Sequence, residues 1–447
     1  MRSDQQQAIN RLAGTSATAF LCAVLCVYPL YIDKFSNLGV TKFTGCFTLF
    51  LLFLLWLVAC TAIGARAPRP RNANAGRDVT LWGVLAFAGT SLISTFTSLS
   101  PTASTWGLGG YYGGLMLVLF TAAGYWAVRS YLDLENLDFV FWVLGITTSI
   151  VAVLYVLNIF NIDLIGAYAD TAVVERAQFF STLGQKDFNG CFFSVALPIV
   201  FYQFLNAKDT RTAVWTGIPA AFGALALAVV DSEALALGIG AAVMVLVCHK
   251  NFTTRHLRRA ALISAAFFGW AAWMHYMRAS VYTQGGTALL AKLGAWQVAL
   301  PCMAASLLLW LVLFVLARKG VAAQAPLYLP GRGITIAVLA VGALAFVLAN
   351  AMPNLPLPES LHNLLVFNDD WGTYRGVAWR AAFGTWADGS LLRKIVGIGP
   401  GMMHTAVAAW AGDAMTARMA TFYAAHNEYL EPVSYTHLRA HETDSYL

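Results

Sequence analysis

Three polar stretches carry the residue types that could do chemistry in this otherwise apolar chain. The first covers residues 175–190 and combines two cations, Arg176 and Lys186, with hydrogen-bonding side chains that include Asn189. An arginine can hold phosphate oxygens through two parallel hydrogen bonds, so the stretch suits a phosphate at the depth of lipid headgroups. An ordinary interfacial loop whose cations meet lipid phosphates has the same composition, and that alternative stays open.

The second stretch covers residues 371–386. If it is helical, Arg375 and Trp379 share one face at a spacing of four residues, and Arg380 follows directly. Such a helix could lie along a bilayer surface with its tryptophans as anchors. A surface ion pair with Asp369 or Asp370 is the alternative role for Arg375.

A glycine-rich turn and a histidine follow that stretch. The turn, residues 396–401, lacks the Gly-Lys-Ser/Thr of a Walker loop, and its glycines let the backbone pass close to a neighbour. The third stretch, residues 424–430, contains the histidine, His426, which precedes Asn427. Histidine titrates near neutrality and is the commonest general base. Glu428 is the rival base, and a purely structural loop histidine is the alternative.

The elements that position these residues are membrane spans. The chain is 59% hydrophobic and only 11% charged, whereas soluble domains carry about 25% charged residues. Its apolar runs reach about 20 residues, enough to cross a bilayer, and the backbone in a bilayer must satisfy its own polar groups, which favours helices. The predicted spans are 16–32, 43–64, 79–98, 110–129, 138–160, 188–206, 213–230, 234–249, 260–277, 294–317 and 334–352.

The basic residues predict an orientation for these eleven spans. With the N-terminus inside, sixteen basic residues fall in inside segments and six in short outside loops, which matches the positive-inside rule. The long polar segment 353–432 then lies outside, together with the loops 161–187 and 278–292. The net charge of +6 is explained by these short loops, so it does not indicate nucleic-acid binding.

The last residues, 433–447, are abruptly polar and resemble an in-frame translation of a sequencing adapter. We therefore expect a non-native tail there and a chain that lacks one or more closing spans, although a natural polar tail is the alternative. The predicted organisation is a transmembrane helical bundle over 1–352, an extracytoplasmic loop with amphipathic helices over 353–432, and the tail.

Taken in order, three motifs indicate a family. They are an arginine ahead of an asparagine at the start of a span, an Arg-x-x-x-Trp segment followed by a Gly-x-Gly-Pro-Gly turn, and a His-Asn-x-Tyr-Leu segment. The residues are Arg176 and Asn189; Arg375, Trp379, Gly397, Gly399, Pro400 and Gly401; and His426, Asn427, Tyr429 and Leu430. Together with a long external loop near the C-terminal end, this set resembles the O-antigen ligase and polysaccharide polymerase superfamily of bacterial envelope proteins.

The resemblance implies an all-α polytopic fold of the C-type glycosyltransferase kind in the bacterial cytoplasmic membrane. It implies a metal-independent, inverting enzyme without a cofactor, which transfers a glycan from undecaprenyl diphosphate to a sugar hydroxyl of a glycan or lipid acceptor outside the cytoplasm. Carried over by motif, Arg375 and Arg176 would bind the diphosphate and His426 would take the proton of the attacking hydroxyl. The further substrate-binding candidates are Lys186, Asn189, Trp379, Arg380 and Asn427.

One position departs from the family pattern. Many relatives carry a Ser-Arg-Gly-like step where this chain has Asp231-Ser232-Glu233, which leaves the number of phosphate-binding cations open. Two other classes also stay open. A flippase or transporter for lipid-linked glycans would favour internal repeats and charges near the midplane. A peptidoglycan-type polymerase would use an external acid such as Glu428 or Asp388.

Overall fold

The computed structural model describes residues 2–64, 79–107, 112–281, 283–284, 290–321, 324–352, 355–405 and 410. Within these ranges the chain is largely helical, as expected for apolar segments whose backbone groups must be satisfied inside a bilayer. The helices are α1 (Arg2–Leu30), α2 (Leu38–Gly64), α3 (Val79–Phe96), α4 (Pro101–Trp106), α5 (Leu115–Tyr131), α6 (Leu137–Ile159), α7 (Lys186–Asn206), α8 (Thr210–Val229), α9 (Glu233–Cys248), α10 (Thr254–Ser280), α11 (Trp296–Arg318), α12 (Tyr328–Ala351), α13 (Glu359–Leu365), α14 (Trp371–Ala387) and α15 (Leu391–Val396).

Each of the eleven predicted spans overlaps one of the long helices. Among the described residues, eight helices are long and apolar enough to cross a membrane: α1, α2, α3, α6, α7, α8, α11 and α12. The remaining three are α5 and α9, which have 17 and 16 residues, and α10, whose first turns are basic. The chain is therefore an all-α, multi-pass membrane protein, and the number of spans stays a prediction.

The chain forms two compact units, and both combine segments from distant parts of the sequence. Unit 1 comprises Met1–Phe20, Cys46–Asp133 and Ala340–Leu447, and unit 2 comprises Leu21–Gly45 and Leu134–Leu339. The division into units reflects which segments pack against one another, whereas the predicted boundary at 352/353 separates membrane spans from an aqueous segment. The predicted organisation therefore remains a prediction.

Unit 2 has a helical core in which α6, α7, α8, α9 and α10 pack together. Tyr155, Phe193, Leu235 and Met274 are fully buried in one cluster there. Lipid tails are as apolar as leucine, so helices in a bilayer associate through close packing of small residues. The α7–α9 contact shows this, because a Cβ atom at Gly190 would lie 2.1 Å from the Ser232 Oγ.

Basic side chains at the start of α10 hold the C-terminal end of α7. The Arg259 guanidinium donates to the carbonyl oxygens of Phe204 at 3.0 Å and Leu205 at 2.9 Å, and Arg255 donates to that of Ala207. The last carbonyls of a helix have no partner within the helix, and cations there also complement its dipole. The opposite end of α7 contains Lys186 and Asn189.

Unit 1 contains α3, α4, α5, α13, α14 and α15, with the first part of α1 and most of α2. Phe20 stacks on Phe53 with ring centroids 4.2 Å apart, and α15 packs against α3. The segment after α12 is tied to that helix by Asn350. Its amide donates to the Leu365 carbonyl oxygen at 2.7 Å and its Oδ1 accepts the Phe367 N–H at 2.9 Å.

Candidate functional site

A short hairpin leads into α7, and Asn189 holds it in place. The hairpin pairs β1 (Phe179–Phe180) with β2 (Gly184–Gln185) in antiparallel fashion. The Asn189 side chain is fully buried. Its Nδ2 donates to the carbonyl oxygens of Phe180, Gly184 and Gln185 at 3.0–3.1 Å. Its Oδ1 accepts the Ser181 hydroxyl at 2.6 Å, so both polar atoms of this predicted substrate-binding residue bond to the loop.

A second asparagine, Asn158 at the end of α6, supports the same hairpin. Its Oδ1 accepts the Ser181 N–H at 2.6 Å, and its amide donates to the Ile162 carbonyl oxygen at 3.2 Å. Asn158 was not among the predicted site residues. The available signal was an asparagine near the end of an apolar span, where an unpaired amide would be costly.

Lys186 lies at the first position of α7 and forms an ion pair with Asp231, with 3.2 Å between Nζ and Oδ2. The next residue, Asp187, accepts the Ser232 hydroxyl at 3.1 Å, and the Asp231 N–H donates to the Tyr155 hydroxyl oxygen at 3.3 Å. Asp231 and Ser232 lie where the superfamily that the motifs resemble often has a Ser-Arg-Gly-like sequence. They therefore contact the start of α7, which contains the predicted substrate-binding residue Lys186.

Arg176 lies in a different part of the same loop. Its Nε donates to the Thr171 carbonyl oxygen at 3.4 Å, and its guanidinium lies 5.6 Å from the centre of the Tyr168 ring. Tyr168 in turn donates its hydroxyl to the Phe179 carbonyl oxygen. The carboxylate of Asp163 accepts the N–H groups of Ala167 and Tyr168 at 2.9 and 3.0 Å. Arg176 is thus placed by a folded loop that connects directly to the hairpin.

The loops predicted to share one side meet at one end of unit 2. The Ile159 carbonyl oxygen, at the start of the 161–187 loop, accepts the Gln284 N–H at 2.7 Å, and Asn161 accepts the Gln284 amide at 2.6 Å. At the other end the segments predicted inside also meet, because the Ala325 carbonyl oxygen accepts the Thr254 N–H at 3.0 Å. The alternation of loops is therefore consistent within this unit.

In unit 1, the second polar stretch is the helix α14. Its first turn contains left-handed backbone at Gly372 and Tyr374, and the half-buried Arg375 follows. Trp379 packs on Trp371, with ring centroids 4.9 Å apart, and Arg380 forms an ion pair with Asp369. The helix also buries a face of small residues: Val377, Ala378, Ala381 and Ala382.

The glycine-rich turn after α15 is buried and lies against one serine of α4 and one in the turn between α3 and α4. Gly397, Gly399 and Gly401 all have positive φ. A Cβ atom at Gly399 would lie 2.6 Å from the Ser104 Oγ and 2.8 Å from the Ser98 Oγ. The neighbour to which these glycines allow close approach is therefore the protein itself.

The two arginines assigned to the diphosphate belong to different units, Arg176 to unit 2 and Arg375 to unit 1. His426 and Asn427 lie outside the described residues, as does the tail 433–447. Their roles remain predictions from the motif. Among the described residues, no group of three or more His, Cys, Asp or Glu side chains could hold a metal ion.

No family model, no curated protein and no solved structure matches the chain. The case for a function therefore depends on the residues of this chain and on their contacts.

Proposed function

We propose that this protein transfers a glycan from undecaprenyl diphosphate to a sugar hydroxyl at the extracytoplasmic face, as a ligase or polymerase does. The supporting observation is the folded loop ahead of α7. It keeps Arg176 and Lys186 in defined positions beside apolar helices, where the diphosphate of a membrane-embedded donor would lie. Asn158 and Asn189 hold that loop through hydrogen bonds of both polar side-chain atoms, so its cations are preorganised for an anion.

The proposed reaction is a single displacement. The acceptor hydroxyl oxygen attacks the anomeric carbon of the donor sugar, and the bond from that carbon to the diphosphate oxygen breaks. The electron pair leaves with the diphosphate, whose charge Arg375 and Arg176 stabilise. The hydroxyl proton goes to His426 as general base. Attack opposite the leaving group inverts the anomeric carbon.

The test replaces His426 and Arg375 by alanine, separately, in cells whose surface polysaccharide depends on the protein. We expect each variant to lose transfer by at least about 100-fold, the usual contribution of a general base or of a charge-stabilising group. The measurements are the surface polysaccharide, the lipid-linked donor and the amount of protein in the membrane. His362→Ala and Arg393→Ala are matched controls in the same predicted external segment, and they should leave transfer unchanged.

The location of the accumulated donor separates transfer from flipping. If the protein is a transferase, the donor in the inactive variants accumulates where an external glycosidase can reach it. A failed flippase would leave the donor on the cytoplasmic leaflet. Normal polysaccharide in both His426→Ala and Arg375→Ala cells would contradict the proposed roles.

A further inference from the structure

Another cation lies at the same end of unit 2 as Lys186 and belongs to none of the three polar stretches. Arg278 is in the last turn of α10. Met274, one turn earlier, is buried in the same cluster as Tyr155 and Leu235. Residues four apart share a helix face, so Arg278 extends from that face into the layer just beyond the core. The Tyr155 hydroxyl and Asp231 meet in that layer.

Within the part of the chain that the structure describes, the guanidinium of Arg278 has few hydrogen-bond acceptors. Its Nη1 donates to the Thr283 hydroxyl at 3.5 Å, which is longer than a normal hydrogen bond. Its Nε is buried and has no acceptor among the described residues. A guanidinium has five N–H donors, and a buried donor without a partner calls for a physical explanation.

The neighbouring carboxylates already have other donors. Asp231 pairs with Lys186 at 3.2 Å, and Asp187 accepts the Ser232 hydroxyl at 3.1 Å. Burial lowers the pKa of Arg278, while the negative charge of Asp231 acts in the opposite direction. Arginine nevertheless keeps its proton, so a half-buried positive charge remains at this end of the bundle, with a buried Nε that has no acceptor in the described part of the chain.

We propose that Arg278 is an additional phosphate-binding residue, which binds the diphosphate of the lipid-linked donor beside the Lys186–Asp231 ion pair. This inference rests on the proposed function and adds a residue to its binding site. A diphosphate supplies several acceptor oxygens, and a planar guanidinium can bind two of them through parallel hydrogen bonds. Asp231 would keep Lys186 in place while Arg278 provides the hydrogen-bond donors.

A structural role predicts a different outcome for a conservative change. A cation in the last turn of a helix stabilises it through the dipole, and lysine serves that purpose as well as arginine. Lysine does not reproduce the two-pronged hydrogen bonding of a guanidinium. The variant Arg278→Lys therefore separates a phosphate ligand from a helix-stabilising charge. Arg318→Lys is the matched control, because Arg318 lies in the last turn of α11.

The experiment measures binding of farnesyl diphosphate to the purified full chain in detergent, with melting temperature recorded in parallel. Inorganic pyrophosphate, farnesol and phosphatidylglycerol are the comparison probes. We expect farnesyl diphosphate to bind, and Arg278→Lys to weaken it about tenfold, the loss expected for one charge-assisted hydrogen bond. The melting temperature of that variant and the affinity of Arg318→Lys should be unchanged.

Several outcomes would overturn the inference. They are equal affinity of the wild type and Arg278→Lys, absence of farnesyl diphosphate binding by the wild type, and equal binding of phosphatidylglycerol, which would indicate a general lipid-headgroup contact. Failure of the proposed function would look different. In that case Arg278-dependent diphosphate binding would persist, while the His426→Ala and Arg375→Ala variants would transfer glycan normally.

Discussion

Asn189 shows how one polar side chain organises a loop at the end of a membrane helix. The motif indicated Asn189 as a substrate-binding residue, and the structure places its two polar atoms on the hairpin. Its effect on substrate would then be indirect, through the positions of Lys186 and the rest of the loop. The motif identifies a residue of the site, but only the contacts reveal which partner the side chain has.

We expect Asn189→Asp to destabilise the protein by about 2–4 kcal/mol, because it replaces the amide donor with an acceptor that faces three carbonyl oxygens. The two side chains have the same shape, so packing is unchanged. The measurement is the thermal stability of the purified protein in detergent, with glycan transfer assayed below the melting temperature. The exposed Asn251 provides the control Asn251→Asp. Equal stability of the wild type and Asn189→Asp would show that these hydrogen bonds contribute nothing.

At the scale of elements, the helices were predictable and the contacts of the loops were not. Long apolar runs must form helices in a bilayer, and each predicted span overlaps a helix. The segment 353–432 is predicted to contain amphipathic helices, and α13, α14 and α15 lie in its described part. The role of the glycine-rich turn was not predictable, because its neighbours Ser98 and Ser104 lie far away in the sequence and no local pattern connects them.

The same reason explains what was missed in the candidate site. Arg176, Lys186 and Asn189 lie close together in sequence, so their common loop was apparent. Asn158 and Arg278 belong to other helices, and they reach the same end of unit 2 only through packing of α6 and α10 on α7. Charge and spacing along one segment contain no information about such long-range contacts.

We expect Gly399→Ala to loosen the glycine-rich turn from α4 and from the turn that precedes α4. The added Cβ would collide with Ser104 and Ser98, and the φ of +108° is unfavourable for any residue with a Cβ atom. The expected cost is about 1–3 kcal/mol from overpacking and backbone strain. Limited proteolysis of the 397–403 region and thermal stability measure it. Gly342→Ala is the control in α12, because a Cβ atom there meets nothing within 4 Å; equal protease resistance of Gly399→Ala and the wild type would refute the expected clash.

For the whole molecule, the mechanism requires that the cation-bearing loops lie outside the cytoplasm. Within unit 2 the segments predicted outside meet at one end and those predicted inside meet at the other. That arrangement is a property of alternating spans and is the same for either orientation. The orientation itself rests on the excess of basic residues in the segments predicted inside, so it needs a direct measurement.

Single cysteines provide that measurement in intact cells after the seven native cysteines, none of which is in a disulfide, are replaced by alanine or serine. Leu391, 76% exposed in α15, reports on the segment 353–432, and the exposed Lys208 reports on a loop predicted inside. We expect a membrane-impermeant maleimide to label Leu391→Cys in intact cells and Lys208→Cys only after permeabilisation, because an odd number of spans separates the N-terminus from the external segment.

The reverse pattern would place Arg375 in the cytoplasm, where the extracytoplasmic transfer reaction could not use it. Labelling of both positions in intact cells would instead show that the cells are leaky, which a cytoplasmic marker protein detects in the same sample.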